Sequence, residues 1–227
     1  MPLCGLYNIL TFKIMSIHIL DNVLPVNMAN EIESITSSNL FPWYLLRDIQ
    51  EEKLLDSSEF KVSSDKKTLN TIQMSHQVFD HENKSSQVNS ELFEYTKTIC
   101  DICCDKVEMK PQYIRMKYNL LFNNTKNKKR FHNTPHVDNS FIIDNYSMIY
   151  YVNDSDGDTF IFNEIYDSSN PAKIKKLTVQ KKISPKKNRV VIFSGRYFHA
   201  SSNPIHSENR IVLNTNFFRI GGLYGKL

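Results

Sequence analysis

Residues 133–141 read NTPHVDNSF, and the interpretation of this chain starts from the two polar side chains in it, His136 and Asp138, which flank Val137. In a β-strand, residues i and i+2 point to the same face, so an imidazole and a carboxylate would be directed at one point. A His-x-Asp pair also occurs often by chance. A metal site at this position therefore requires a third ligand from elsewhere in the chain.

The candidate for that third ligand is His199, in the stretch VVIFSGRYFHASSNP at residues 190–204. It follows a buried-strand pattern and a glycine turn, so a second strand could bring its imidazole to the same point. Two histidines and one carboxylate leave coordination positions open, as in non-haem Fe(II) oxygenases. Zinc hydrolases also use such a set, so the ligand types leave the metal undecided.

Arg210 favours iron over zinc. It lies eleven residues after His199, on the following predicted strand, and Glu208 in the preceding loop is the nearest acidic residue in sequence. A buried arginine is costly unless a carboxylate meets it. A dicarboxylate cosubstrate that chelates iron through one end would supply its far carboxylate to this guanidinium.

Four segments carry a family resemblance: HVD at 136–138, IYYVNDSDGDTFIF at 149–162, ISPKKNRVVIFSGRYFHASSNP at 183–204 and NRIVLNTNFF at 209–218. In this order they resemble the Fe(II)- and 2-oxoglutarate-dependent dioxygenases, specifically the prolyl 4-hydroxylase-like branch. The resemblance covers residues 111–220. SIHILDNVLP and LFPWYL, further upstream, resemble the opening of such domains less specifically.

The resemblance implies a role for each matching residue. His136, Asp138 and His199 would bind Fe(II), and Arg210 would pair with the distal carboxylate of the cosubstrate 2-oxoglutarate. Tyr118 and Tyr151 stand where the family often places tyrosines that hydrogen-bond this cosubstrate; ordinary barrel packing is an equal alternative for both. With O2, the implied reaction releases succinate and CO2 and hydroxylates a C–H bond of a prolyl, peptidyl or small-molecule substrate.

The chain departs from the family pattern in two places. SDGDTF at 155–160 keeps Gly157 and Thr159 but lacks a second glycine, and NNTKNKKRFHNT at 123–134 inserts a basic loop before the HVD segment. The metal assignment survives both departures. The substrate of the prolyl branch cannot be transferred, because the loop adjoins the predicted mouth of the site.

The predicted fold class is α+β, mainly β: a double-stranded β-helix (jelly-roll, cupin-like) core at 111–220, with supporting helices in 17–110. Residues 17–227 are predicted to form a single dioxygenase domain, and residues 1–16 are expected to be a poorly packed extension. Helical stripes that should be buried are Met28, Ile32 and Ile35, followed by Val88, Leu92, Tyr95, Ile99, Ile102 and Val107. Short segments rich in β-branched and aromatic residues, separated by turn residues, predict the strands after Pro111.

Composition sets the remaining expectations. The 227 residues carry a net charge of +4, which requires no polyanionic partner. No signal peptide and no membrane span are predicted. Cys100, Cys103 and Cys104 are expected to be reduced, buried thiols in a cytoplasmic protein.

Two other functions remain open. One is a non-catalytic cupin-like binding protein; the other is a dioxygenase acting on nucleic acid, favoured by the basic loop at residues 126–130. The acids of DSDGD at 154–158 resemble the start of a calcium loop, but a turn between strands is the preferred interpretation. His132 and His206 are expected not to be metal ligands.

Overall fold

Eleven antiparallel strands and two helices make up the described part of the chain. The computed structural model describes residues 16–46, 71–81, 86–123, 132–138, 145–167 and 176–221. The helices are α1 (Val26–Thr36) and α2 (Phe93–Asp105). The strands are β1 (His18–Asp21), β2 (Tyr44–Leu46), β3 (Gln73–Asp80), β4 (Gln87–Val88), β5 (Pro111–Phe122), β6 (Asn145–Tyr151), β7 (Thr159–Ile165), β8 (Val179–Ile183), β9 (Arg189–Ser194), β10 (Tyr197–Ser201) and β11 (Asn209–Arg219).

The strands form two sheets. The major sheet has the order β1-β9-β6-β11-β5-β3-β2, with β4 beside β3, and the minor sheet has the order β10-β7-β8. Strand order that departs this far from chain order, with antiparallel pairing throughout, is the jelly-roll arrangement. The predicted mainly-β class with a jelly-roll core is confirmed.

Side-chain alternation divides the interior into two layers. On β6, Met148 and Tyr150 join the core beneath the helices, whereas Ile149 and Tyr151 join the core between the sheets. All seven residues of β6 are buried, because protein covers both faces of this central strand. The layer between the sheets is where the predicted site residues are brought together.

The first half of the chain contributes more to the sheet than predicted. Strand β1 pairs with β9, and the eight-residue β3 pairs along β5, so residues 17–110 supply strands of the major sheet as well as helices. The helical stripe predicted from Val88 is wrong at its start: Val88 belongs to β4 and is 58% exposed. The division into an extension at 1–16 and one domain at 17–227 stays a prediction, and residues 1–15 lie outside the described residues.

The thiols of α2 are buried as expected. Cys100, Cys103 and Cys104 are fully buried in the core beneath the helices, and all three are free. Burial raises the pKa of Cys100 to about 12, so this thiol stays protonated at neutral pH. Neither helix in the described ranges has the length and apolar character required to cross a membrane.

Candidate iron and cosubstrate site

The three predicted metal ligands meet between the two sheets. The backbones of His136 and His199 form an isolated antiparallel bridge, with N–O distances of 2.9 and 2.8 Å in the two directions. This bridge places their imidazole centroids 4.6 Å apart. Asp138, two residues beyond His136, projects to the same side, and one ligand atom from each residue lies within 4.8 Å of the other two.

Backbone carbonyls orient both imidazoles. Nδ1 of His136 lies 3.1 Å from the carbonyl oxygen of Thr134, and Nδ1 of His199 lies 3.2 Å from that of Tyr197. A carbonyl oxygen can only accept, so each Nδ1 carries the proton and each Nε2 is left with a free lone pair. Both Nε2 atoms face Asp138, at 3.9 and 3.4 Å from its carboxylate oxygens.

The carboxylate of Asp138 is held by side chains of the major sheet. Its Oδ1 accepts a hydrogen bond of 3.1 Å from Arg115, and its Oδ2 accepts bonds of 2.9 Å from both Ser147 and Asn216. Asn216 also accepts a 2.7 Å hydrogen bond from Arg115, so these donors form one network. Such supports fix the direction of a metal-binding carboxylate.

Electrostatics keep the ligands in the protonation states that a metal ion requires. Burial, reinforced by His199, lowers the pKa of His136 to about 4, so this imidazole is neutral at pH 7. Burial alone would raise the pKa of Asp138, but His199, Arg115 and His136 hold it well below its usual range. A neutral imidazole at His136 and an ionised carboxylate at Asp138, beside the imidazole of His199, fit a divalent metal such as Fe(II).

Arg210 lies at the far end of the same cavity. Its guanidinium is 3% exposed, and Nε donates to the carbonyl of Gly157 at 2.8 Å. Among the residues that the structure describes, no carboxylate forms an ion pair with it. Gly157 must lack a side chain here, since a Cβ would lie 2.6 Å from the Ser202 carbonyl oxygen and 3.0 Å from Cδ of Arg210.

Thr159 adds a hydrogen-bond donor that the sequence did not single out as a site residue. Its Oγ1 accepts from Nη2 of Arg210 at 2.8 Å and from the hydroxyl of Tyr151 at 2.7 Å. A hydroxyl that accepts two bonds has its own proton left for a third partner. Thr159 lines the cavity, so this proton and the Arg210 guanidinium are both available to a carboxylate there.

The two tyrosines predicted for the cosubstrate lie on different sides of the major sheet. Tyr151 belongs to the layer between the sheets, and the Arg210 guanidinium carbon is 5.6 Å from its ring centre. The prediction for Tyr118 is wrong. Strand alternation turns its ring towards the helices, where its hydroxyl lies 3.0 Å from Oγ1 of Thr96, because Lys117 and Asn119 occupy the cavity face of β5.

One open cavity connects the two ends of the site. Its empty volume is about 510 Å³, a figure that includes open solvent at its mouth. Besides the predicted residues, its walls include polar side chains that sequence reasoning missed: Gln73, Lys117, Asn119, Ser201 and Asn214. Inward charged or amide residues at every second position of predicted strands were the available signal.

At the residues that the structure describes, the other metal-site alternatives raised by the sequence lose support. The acids of the calcium-like stretch turn to separate partners: Asp154 accepts from the Lys187 amide, Asp156 from the amides of residues 205–207, and Asp158 from Ser184. His132 packs against Phe160 and Phe162, as expected for a non-ligand. His206 is exposed.

Of the two basic segments, one lies outside the described residues and the other forms ion pairs within the protein. The loop at 126–130, on which the nucleic-acid alternative depends, lies outside the described residues. Another Lys-rich stretch begins in β8 and runs to Lys187, and in it Lys182, Lys186 and Lys187 form ion pairs with Asp158, Asp21 and Glu33 respectively. These three lysines are therefore paired with carboxylates of the protein itself.

Comparisons with known proteins agree with this geometry. The sequence model of the family described as "2OG-Fe(II) oxygenase superfamily" matches residues 120–218. No curated protein sequence matches the chain. An oxidoreductase of the 2OG-Fe(II) oxygenase family from Burkholderia pseudomallei shares the fold with a TM-score of 0.60 at 11% identity, over 89% of this chain and 84% of that one.

Two further structures show how varied such folds are in function. The epimerase SnoN, solved in complex with Fe3+, alpha ketoglutarate and nogalamycin RO, has a TM-score of 0.56 at 9% identity, over 92% of this chain and 81% of that one. A prolyl hydroxylase from Trichoplax adhaerens, in complex with a peptide of hypoxia inducible factor, has a TM-score of 0.51 at 13% identity, over 92% and 86%. At these identities the likeness shows the fold.

The family match spans all three metal-ligand candidates and Arg210, and the fold brings those residues to the two ends of one cavity. The resemblance of residues 120–218 to the 2OG-Fe(II) oxygenase superfamily, whose members use Fe(II), 2-oxoglutarate and O2, is therefore confirmed.

Proposed function

We propose that this protein is an Fe(II)- and 2-oxoglutarate-dependent oxygenase that hydroxylates a C–H bond of a prolyl, peptidyl or small-molecule substrate. One oxygen atom of O2 enters the substrate as a hydroxyl group. The other enters succinate as 2-oxoglutarate loses CO2. Both atoms of O2 and the four electrons that reduce them are thereby accounted for, two electrons from the substrate and two from the cosubstrate.

The observation that carries this proposal is the pairing of two recognition elements in one cavity. His136, Asp138 and His199 offer a facial set of ligands at one end. Arg210 and Thr159 offer a guanidinium and a hydroxyl proton at the other end, with no protein carboxylate to receive them among the described residues. A dicarboxylate with one chelating end fits both elements, and a simple zinc hydrolase needs only the first.

The side chains of this protein bind and orient the metal and the cosubstrate, and they exclude water. Bound iron supplies the activation of O2 and the oxidative decarboxylation. Arg210 and Thr159 hold the distal carboxylate, and Gly157 holds Arg210 in place through its carbonyl. Ser147 and Asn216 direct Asp138, and the apolar neighbours Ile149 and Val212 line the cavity between its two ends.

The substrate belongs to the finer part of the proposal. A peptidyl proline is supported by the sequence resemblance to the prolyl branch and by the fold shared with a peptide-bound prolyl hydroxylase. A small molecule is supported by the shared fold of SnoN. The free, buried thiols of α2 support the cytoplasmic location expected from the sequence.

A direct test adds Fe(II) and 2-oxoglutarate to the purified protein under nitrogen, and then admits air. We expect a weak visible charge-transfer band before air and succinate release after it, with release stimulated by a member of a panel of prolyl peptides, free amino acids and oligonucleotides. His199→Ala should abolish both signals because it removes a ligand.

His206→Ala is the matched control, since it removes an exposed histidine that contributes no side chain to the cavity. It should retain the band and the succinate. A wild-type protein that binds neither Fe(II) nor Mn(II) would contradict the proposed function and favour the non-catalytic binding protein. Stimulation by oligonucleotides alone would replace the peptide with a nucleic-acid substrate.

A further inference from the structure

Lys117 is an inward-facing cation that the proposed reaction does not use. It lies on β5 directly opposite Asn214 of β11, and both side chains line the cavity. Its ammonium group makes no hydrogen bond or ion pair with any residue that the structure describes. Arg115, two residues earlier on the same face, is in contrast paired with Asp138 and Asn216.

Lys117 is half-buried, and an ammonium group that has no partner among the described residues is costly in such a place. Burial and the neighbouring Arg115 lower the pKa of Lys117 to about 7, although Asp138 and Asp80 oppose the shift. A methionine would fill the same space without this desolvation cost. A ligand that pairs with the ammonium group would offset this cost.

The surroundings of Lys117 are those of a polar ligand site. The side-chain oxygens of Asn119 and Asn214 are buried and have no hydrogen-bond partner in the part of the chain that the structure describes. Asn119 is two residues from Lys117 on the same face of β5, and Gln73 lies on the adjacent strand β3. A carboxamide can present either its NH2 group or its oxygen, so the two asparagines can bind a polar group beside the ammonium.

This position is separate from the one that holds the distal carboxylate. Across β5 and β11, Arg210 is opposite Leu121 and Asn214 is opposite Lys117. Four residues along a strand correspond to about 13 Å. The charges that act on Lys117 come from Arg115, Asp138 and Asp80, which places it at the metal end of the cavity.

Loading the site leaves the charge of Lys117 uncompensated. A divalent metal ion and a dicarboxylate carry equal and opposite charges, so binding both does not alter the net charge of the cavity. The two cations that line the cavity, Lys117 and Arg210, then still face one lining carboxylate, that of Asp138. The surplus is positive and lies where the substrate must approach the metal.

We propose that Lys117, with Asn119 and Asn214, forms a carboxylate-binding subsite that selects substrates carrying a carboxylate close to the C–H bond that is oxidised. This inference rests on the proposed function and deepens it by naming the substrate class. The subsite accepts the carboxylate of a free amino acid, of a peptide C-terminus or of an acidic side chain.

The test uses Mn(II) in place of iron, because Mn(II) occupies such sites without turnover and broadens the NMR signals of nearby ligands. A first titration measures 2-oxoglutarate binding to the Mn(II)-loaded protein. A second adds N-acetyl amino acids, each as the free carboxylate and as the primary amide, and measures broadening of their proton signals. We expect broadening by carboxylates and little by the matching amides.

Lys117→Met should weaken the binding of the broadened carboxylates by roughly 10- to 100-fold, the range for a hydrogen bond to a charged group. Lys117→Arg should restore much of this binding by restoring the charge. Lys181→Met, which removes an exposed lysine of β8, is the matched control and should match wild type. Unchanged 2-oxoglutarate binding by Lys117→Met shows that this variant is folded.

The outcomes separate the two proposals. Equal broadening of carboxylates and amides, or none, overturns the subsite while the first titration still supports the oxygenase. Loss of 2-oxoglutarate affinity in Lys117→Met as severe as in Arg210→Met assigns Lys117 to the cosubstrate and also overturns the subsite. Failure of wild type in the first titration overturns the proposed function itself.

Discussion

His136 and His199 exchange both of their backbone hydrogen bonds across a bridge formed by just these two residues. The bridge fixes the separation of the two imidazoles before any metal binds, and the carbonyls of Thr134 and Tyr197 fix the tautomer of each ring. A metal ion therefore enters a preformed set of ligands. The hydrogen bonds to Asp138 complete this preorganisation, and the first prediction concerns them.

Asn216→Ala removes a 2.9 Å hydrogen bond to Asp138. It also removes the side-chain oxygen that accepts a hydrogen bond from Arg115. We expect the affinity for Mn(II) to fall roughly 10- to 100-fold, as found when residues that orient metal ligands are lost. Electron paramagnetic resonance of free Mn(II) measures this. Asn163→Ala, at an exposed asparagine of β7, is the control, and equal affinities in the two variants would show that the network does not orient Asp138.

Gly157→Ala should weaken 2-oxoglutarate binding while leaving Mn(II) binding intact. The new Cβ would lie 2.6 Å from a backbone oxygen of Ser202, which cannot move as freely as a side chain, and 3.0 Å from Cδ of Arg210. The guanidinium must then shift away from its carboxylate partner. Calorimetric titration of the Mn(II)-loaded variant with 2-oxoglutarate tests this, and simultaneous loss of Mn(II) affinity would point instead to general misfolding.

The two tyrosines should respond differently to loss of the hydroxyl group. Tyr151→Phe removes the bond that Thr159 accepts, and we expect 2-oxoglutarate affinity to fall roughly tenfold. Tyr118→Phe should leave that affinity unchanged and cost about 1 kcal/mol of stability, because buried Thr96 loses its partner. Urea unfolding and the same titration measure both effects. A larger loss of cosubstrate affinity in Tyr118→Phe would contradict the placement of its ring.

The stability of the metal-free protein should depend on pH through Lys117. Its pKa is lowered to about 7 in the folded state, against about 10.4 in an unfolded chain. Between these values the unfolded state binds more protons, so the free energy of unfolding rises with pH in this range. Below pH 7, Lys117 is protonated in both the folded and the unfolded state, so the folded state bears the full cost of burying its charge.

The Lys117→Met variant has no ammonium group to desolvate and therefore lacks this penalty. We expect it to be more stable than wild type at pH 7 and to lose part of that advantage at pH 9, in urea unfolding with a chelator present. Lys181→Met should follow the wild-type pH profile, because this lysine is exposed. Parallel profiles for wild type and Lys117→Met would show that the ammonium group is solvated.

Strand alternation places the two predicted tyrosines on opposite faces of the major sheet. Tyr118 and Tyr151 had equal support from sequence, since both lie in strands at family-like positions. The decisive difference is which neighbours share their face: Tyr118 alternates with Lys117 and Asn119, which face the cavity, and Tyr151 lies on the same face as Ile149. An inward charge beside an aromatic residue was a usable signal for this.

Other parts of the site depend on register, which the sequence does not show. Asn216 reaches Asp138 because β11 lies beside both β5 and β6, so that it is opposite Arg115 on one side and Ser147 on the other. The contribution of β3 to the major sheet was likewise missed, because the sequence predicted supporting helices in residues 17–110. Pairing partners distant in the chain are not encoded in local patterns.

By itself, the sequence determined the class of fold, the order of the metal-ligand candidates and Arg210, and the buried thiols, because each depends on residue type and local period. Only the tertiary structure decided which side chains share the cavity. It pairs Arg115 with Asp138, leaves Lys117 without a partner among the described residues and turns Tyr118 towards the helices. The physical reason is that a side chain's environment in a two-layered sheet depends on strand register and face, and both are set by packing across the whole chain.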